Sequence, residues 1–413
     1  MKIEKVHIKN VKGIKDLELS FRKDDKILDV IVLAGVNGSG KTTILEAIKD
    51  FFYNKYLNFN GPEKSNVNLD IFFENFEKNK IEEAEKSSDN YKHALWNFFG
   101  TLQSYNLYRK NSNDYYRNQI AKRFDIPPKI IYVPAENKFE EIQTYSTTLS
   151  KEYEFINTIN SNVIRDIPSY IATRRNYLAT IEEDLTMKEI TNKVVNEIND
   201  IFNILELDVK LKGFSKDERT MPIFENSAGE EFDINDLSSG EKQLFLRTLS
   251  IKMLEPDNSI ILIDEPELSL HPKWQQRIIE VYKNIGKNNQ IIVATHSPHI
   301  LGSVSNENIF ILYRNENGKI EAKTGDELYS SYGQPVERVL KDIMGLESVR
   351  APKIEKELEE LKKLVDEDKY DTEEFKKKYN NLLEILGNTD EDLFLIDMDI
   401  KMKQKVNSNV ESK

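Results

Sequence analysis

Apolar and polar positions change rhythm several times along the 413-residue chain, and each change predicts a different element. Residues 3–21 alternate, with Ile3, Val6, Ile8 and Val11 followed by Leu17, Leu19 and Phe21, which predicts a strand hairpin turning near Gly13. Val30–Ala34 is instead an unbroken apolar run, as a strand buried on both faces requires. Runs of the same kind occur at 129–134, 259–263, 290–294 and 308–312, the last three separated by helical segments. Buried strands alternating with helices predict an α/β sheet with parallel strands. Residues 208–212 and 221–224 read as further short strands.

Two stretches break this pattern. Residues 54–128 are Asn- and Lys-rich with clustered aromatics and predict an insertion that is helical or irregular; residues 141–207 predict a second, mostly helical one. The clearest helix there places Ile190, Val194, Ile198, Ile201, Phe202 and Leu205 on one face, at spacings of three and four. In the tail, Ile354, Leu358, Leu361 and Val365, then Phe375, Tyr379, Leu382 and Leu386, predict two amphipathic helices joined near 366–371 and ended by Gly387. The expected organisation is a discontinuous head (1–53, 129–140 and 208–345), insertions at 54–128 and 141–207, and an acidic helical tail at 346–413.

Composition narrows the chemistry. The absence of cysteine excludes disulfides, thiolate catalysis and Cys-ligated metal centres, and five histidines are too scattered for an all-His site. No apolar run approaches the ~20 residues of a membrane span, and the N-terminus enters a strand pattern directly, so a cytoplasmic protein without a membrane partner is expected. A net charge of −13 argues against a surface coated with positive charge for nucleic acid, though not against a local groove. Arg109, Lys110, Arg117, Lys122 and Arg123 interleave with Tyr105, Tyr108, Tyr115 and Tyr116, and Arg174 and Arg175 form a second cluster. These read as solvated helical faces, with DNA binding as the alternative.

Candidate chemistry begins after the first buried strand. Gly35, Val36, Asn37, Gly38, Ser39, Gly40, Lys41 and Thr42 form a phosphate-binding loop between that strand and the helical stretch opening at Thr43. Its glycines let backbone N–H groups curl around a triphosphate, and the following helix directs its positive end at the same anion. Lys41 is placed to reach the β and γ phosphates, and Thr42 to offer its hydroxyl to Mg2+. The run 260–263 delivers Asp264 and Glu265 to a strand end, Asp264 suited to Mg2+ and Glu265 to polarising an attacking water. Residues 236–243 open a helix with Ser238, Ser239 and Gly240, a capping pattern that also makes an anion site.

These motifs, with residues 294–297 around His296, follow one another in the order of ABC-type ATPases of the SMC, RecF and OLD-like branch, which the chain resembles. The resemblance implies a P-loop α/β head. Residues 35–43 take the place of Walker A, 237–243 of the signature, 260–265 of Walker B and 269–272 of the D-loop. His296 takes the place of the histidine that senses the γ-phosphate, and Lys12, near the opening strand, that of a phosphate-touching basic residue. Ser239 and Glu241 stand where transporters carry glycine and glutamine, and Glu136 and Asn137 where a glutamine loop is expected. Only about 195 residues separate Walker A from the signature, without sustained heptads, so long coiled-coil arms are excluded.

The resemblance further implies ATP and Mg2+ as cofactors and a head-to-tail homodimer, each ATP held between Walker A of one copy and Ser238–Gly240 of the other. It also implies an effector in trans, a nuclease or toxin, as in the stand-alone ATPases of Septu, retron-linked or PARIS-type anti-phage systems. A RecF-like DNA-repair ATPase is the alternative, and a transporter subunit or a non-hydrolysing scaffold are further ones. Residues 393–399 imitate the strand and paired aspartates of a Toprim nuclease, but only fourteen residues follow Asp399, and the segment reads as helical tail.

Overall fold

The computed structural model describes residues 1–57, 67–72, 128–135, 142, 155–217 and 220–411. They form two compact units, Met1–Val339 and Leu340–Lys413.

In the first unit the alternating segment forms β1 (Lys2–Val11) and β2 (Ile14–Ser20), an antiparallel hairpin that buries Ile3, Val6, Ile8, Leu17 and Leu19. A short pair, β3 (Arg22–Lys23) and β4 (Lys26–Ile27), leads to β5 (Val30–Ala34), whose five residues are all buried. Helix Lys41–Leu57 follows, and β6 (Val67–Phe72) pairs antiparallel with β1. That strand falls within the segment for which the sequence predicts helix or irregular chain: β1 offers a free edge, and pairing with it overrides the local composition.

β7 (Ile130–Val133) and β8 (Ile156–Thr158) come next, then a small antiparallel sheet of β9 (Lys210–Phe214), β10 (Pro222–Glu225) and β11 (Glu231–Asp233). β12 (Ile260–Asp264), β13 (Gln290–Thr295), β14 (Ile309–Arg314) and β15 (Ile320–Thr324) complete the strands. The main sheet runs β15-β14-β5-β13-β12-β7-β8, parallel throughout except for β15 at one edge. This is the expected α/β P-loop fold. β5, β7, β12 and β13 are buried along their full length because flanking layers cover both faces of a parallel sheet.

A buried side chain helps to fasten the hairpin sheet to the main sheet. Gln290, fully buried at the start of β13, accepts from the Ile3 N–H (2.7 Å) and donates to the carbonyls of Ile3 (2.8 Å) and Leu28 (3.0 Å). Helix Met187–Phe202 buries the predicted stripe, and the Asn199 amide docks it on β9 by exchanging two hydrogen bonds, each 2.9 Å, with the Leu211 backbone. Phe245 of helix Ser239–Met253 packs on Phe202 and Phe224, with ring centroids 4.4 and 5.2 Å away.

The second unit contains helices Pro352–Asp366, Glu373–Leu386 and Glu391–Glu411 around Leu358, Leu361, Val365, Phe375, Leu382, Leu393 and Ile396. The two predicted helices are present, and Gly387 ends the second at φ 84°. A third helix covers them, and residues 393–399 are part of it, as expected of a helical tail, so the Toprim-like strand does not form. Among the described residues, no helix is long and apolar enough to cross a membrane.

Candidate active site

Because β5, β12 and β13 run parallel and in adjacent register, the chain leaves all three on the same edge of the sheet. Three segments distant in sequence are thereby brought together: the loop after Ala34, the carboxylates after Ile263 and the turn after Thr295. Gly35 has φ 143°, and a Cβ there would lie 2.3 Å from the Leu312 carbonyl oxygen, so only glycine lets the loop leave β5 past β14. A cavity of about 410 Å³ opens against the loop, lined by Asn37, Gly38, Gly40, Lys41, Thr42 and Thr43, by Glu265, and by Gly13, Ile14, Arg314 and Ile320.

The Lys41 amine donates to the Gly35 (2.9 Å) and Val36 (3.3 Å) carbonyls. Burial lowers its pKa, against the charges of Glu265, Asp264 and Glu267. Thr42 Oγ1 donates to Asp264 Oδ1 at 3.1 Å, joining loop to strand end across 222 residues. Burial pushes the Asp264 carboxyl up to about 6; the Thr42 hydrogen bond opposes the shift and the charge of Glu265 adds to it. Ser39 is buried, its hydroxyl without a hydrogen-bond partner among the described residues.

Glu265 follows Asp264 with φ 44°, a left-handed turn that sends the chain away from the strand direction, and its N–H donates to the Ala294 carbonyl at 2.8 Å. Glu265 Oε1 lies 3.4 Å from Nδ1 of His296, whose ring is half exposed. His296 is held through its backbone: its N–H and the Thr295 hydroxyl both donate to Oε1 of the buried Glu267, at 2.9 and 2.5 Å.

Ser238, Ser239 and Gly240 open helix Ser239–Met253 but do not line the cavity. Ser238 forms a capping box with Glu241, its Oγ 2.5 Å from the Glu241 carboxylate. Gly240 meets the D-loop segment: a Cβ there would lie 2.6 Å from the carbonyl oxygen of Ser269, itself at φ 63°. Lys12 sits in the β1–β2 turn at φ 50° with its amine paired to Glu46, and its neighbours Gly13 and Ile14 line the cavity instead. Glu136, Asn137 and the basic and aromatic stretch 105–123 lie outside the described residues.

Two arginines escaped the sequence analysis. Arg247 is fully buried and donates to the carbonyls of Pro134 (2.6 Å), Asp264 (2.9 Å) and Glu265 (3.2 Å), bracing the strand end that carries both carboxylates. A charged residue between Phe245-Leu246 and Thr248-Leu249 was the available signal, since that position falls on the buried face of the helix. Arg314 carried no comparable signal, because it reaches the cavity only through the pairing of β14 with β5.

Residues 30–302 match the family described as "AAA domain, putative AbiEii toxin, Type IV TA system", and residues 1–58 match a second AAA-domain family. The chain belongs to the first of these AAA-domain families. This AAA ATPase is 25% identical over 384 residues to the Septu protein PtuA of Bacillus thuringiensis, covering 89% of this chain and 90% of that protein. It is 24% identical over 491 residues to "Retron Ec83 probable ATPase" of Escherichia coli, covering 98% and 87% of the two chains. Septu and retron ATPases are two of the groups that the sequence resemblance named. Among solved structures it is similar to an SMC head bound to the C-winged helix domain of ScpA, with a TM-score of 0.42 and 16% identity over 79% of this chain and 98% of that one.

The residues of this AAA ATPase fit a magnesium nucleotide. Asp264 is a buried carboxylate whose hydrogen-bond partner, Thr42, is itself a hard oxygen donor, and the Glu265 carboxylate follows it directly at the strand end. The open space around the Gly38 Cα leaves room for an anion at the loop.

Proposed function

We propose that this AAA ATPase binds ATP with Mg2+ in the cavity at the sheet edge and hydrolyses it. Loop N–H groups and Lys41 hold the phosphates, Thr42 and Asp264 hold the metal, and Glu265 orients the attacking water while His296, 3.4 Å away, positions Glu265. Bound Mg2+ supplies charge neutralisation on the phosphate oxygens. The observation that carries this reading is the meeting of Lys41, Thr42, Asp264, Glu265 and His296 at one end of three adjacent parallel strands.

Each copy holds an incomplete site. Ser238–Gly240 form a capped helix start that lies outside the chain's own cavity, which supports their facing the nucleotide of a second copy in a head-to-tail dimer. ATP then favours the closed dimer by its contacts to both copies, and hydrolysis returns the pair to the open state. The likeness to Septu and retron proteins supports a place in anti-phage defence, with the dimer controlling a nuclease or toxin in trans. ATP turnover by the purified chain, compared with Glu265→Gln, tests the catalytic assignment: turnover falls at least ~100-fold if Glu265 is the base, and equal rates remove it from that role.

A further inference from the structure

Part of the cavity lining belongs to none of the motifs: Gly13 and Ile14 of the β1–β2 turn, and Arg314 and Ile320 of the β14–β15 pair. Arg314 is the last residue of β14, which runs parallel to β5 and so ends on the same edge as the phosphate loop. One of its terminal nitrogens donates to the Gly318 carbonyl at 3.1 Å, and the other to the carbonyl of Gly38, in the loop itself, at 3.4 Å. A Cβ on Gly13 would lie 3.2 Å from that second nitrogen, so glycine there leaves room for the guanidinium beside the β1–β2 turn.

Both partners are neutral carbonyls, which orient the cation without neutralising it. A guanidinium has five N–H donors, so several remain for another acceptor. The longer bond is at the limit of hydrogen-bond length and exposed to solvent, which makes it a poor brace for the loop. Beneath the loop, the buried Ile14 and Ile320 side chains would be 3.5 and 3.2 Å from a Cβ on Gly40 and form its apolar floor. The cavity thus holds two cations of different kinds. Lys41 is a point charge folded onto loop carbonyls, and Arg314 is a planar fork anchored from outside the loop.

We propose that Arg314 is a nucleotide-binding residue whose guanidinium makes a charge-assisted contact to the phosphate chain of a nucleoside polyphosphate in this cavity. The inference rests on the reading that the cavity takes ATP, and it adds to the phosphate loop a second cation, from the neighbouring strand β14. Contact with Gly38 couples the seat of that cation to the tip of the loop.

Full-length wild type, Arg314→Ala, Arg314→Lys and Lys41→Ala are compared for affinity to ATP with Mg2+, by competition with a fluorescent ATP analogue, and for thermal midpoint without nucleotide. Arg314→Ala should weaken ATP about tenfold, or about 1.4 kcal/mol, with the nucleotide-free midpoint unchanged, and Arg314→Lys should fall between, because the charge stays while the fork is lost. Equal affinity of wild type and Arg314→Ala overturns the proposal. So does a weakening matched by a lower midpoint, which would make Arg314 only a structural brace. Failure of the wild type to bind ATP, or unimpaired binding by Lys41→Ala, would instead overturn the ATP reading itself, and this inference with it.

Discussion

Replacing Arg247 by methionine keeps most of the side-chain volume while removing its donors, and its consequence can be worked from the structure. The guanidinium is fully buried and donates to the carbonyls of Pro134, Asp264 and Glu265 at 2.6, 2.9 and 3.2 Å. A hydrogen bond to a charged group contributes about 1.5–3 kcal/mol, so the two short bonds and the long one together contribute on the order of 5 kcal/mol. Burial lowers the Arg247 pKa, which shows that holding the cation in the core is itself costly, and methionine removes that cost. Setting a burial cost of about 2 kcal/mol against the bonds leaves a net loss of about 3 kcal/mol. For a unit of this size, Met1–Val339, that lowers the thermal midpoint by roughly 4 °C. The same substitution frees the carbonyls flanking the Asp264-Glu265 peptide, so ATP turnover should fall further than the loss of folded protein explains. Thermal unfolding followed by circular dichroism, with turnover measured well below the midpoint, checks both effects. A loss below about 1 kcal/mol with unchanged turnover would show that the three carbonyls find other donors, and would refute the bracing role.

Two further outcomes follow from other parts of the molecule. Gln290→Leu leaves the Ile3 N–H and the Ile3 and Leu28 carbonyls without their side-chain partner between the two sheets and should cost about 2–4 kcal/mol; urea unfolding measures it, and a shift under 1 kcal/mol would mean water replaces the amide. In the second unit, burial pushes the Asp392 carboxyl up but is outweighed by its hydrogen bond to Lys362 and the charges of Lys362 and Arg350, which hold it below the usual carboxylate range. Its contribution is therefore full above the unfolded value near ~4 and is lost as pH falls through the lower folded one. Arg350→Ala, which removes a partner of both Asp390 and Asp392, should consequently destabilise the three-helix unit at pH 7 and much less once the pH has fallen through the folded Asp392 value; an equal effect in both conditions would contradict the assignment.

Much of the sheet was legible because its strands are buried on both faces. The runs at Val30–Ala34, Ile260–Asp264 and Gln290–Thr295 have no polar alternation to confuse them with surface elements, and each ends in residues with a chemical signature. β6 was not legible, since its pairing with β1 is a tertiary choice made within polar sequence. The tail read as helical, but the bounds of its third helix were not legible, because Phe394, Leu395, Met398 and Met402 remain exposed and blur the period set by Leu393 and Ile396. Within the site, the loop, Asp264-Glu265 and His296 were found because contiguous motifs carry them. Arg247, Gln290 and Arg314 act through backbone carbonyls of distant segments, a relation that leaves no local pattern in the sequence.

In the proposed cycle, ATP closes two copies of this chain around sites that neither completes alone. The mass of purified Glu265→Gln in solution, measured by light scattering with and without Mg2+ and ATP, tests it most directly. The mass should double on adding ATP, and Ser238→Arg, which places a bulky side chain at the helix start proposed to meet the second copy, should abolish the doubling. A mass unchanged by ATP, with nucleotide shown to be bound, would contradict it.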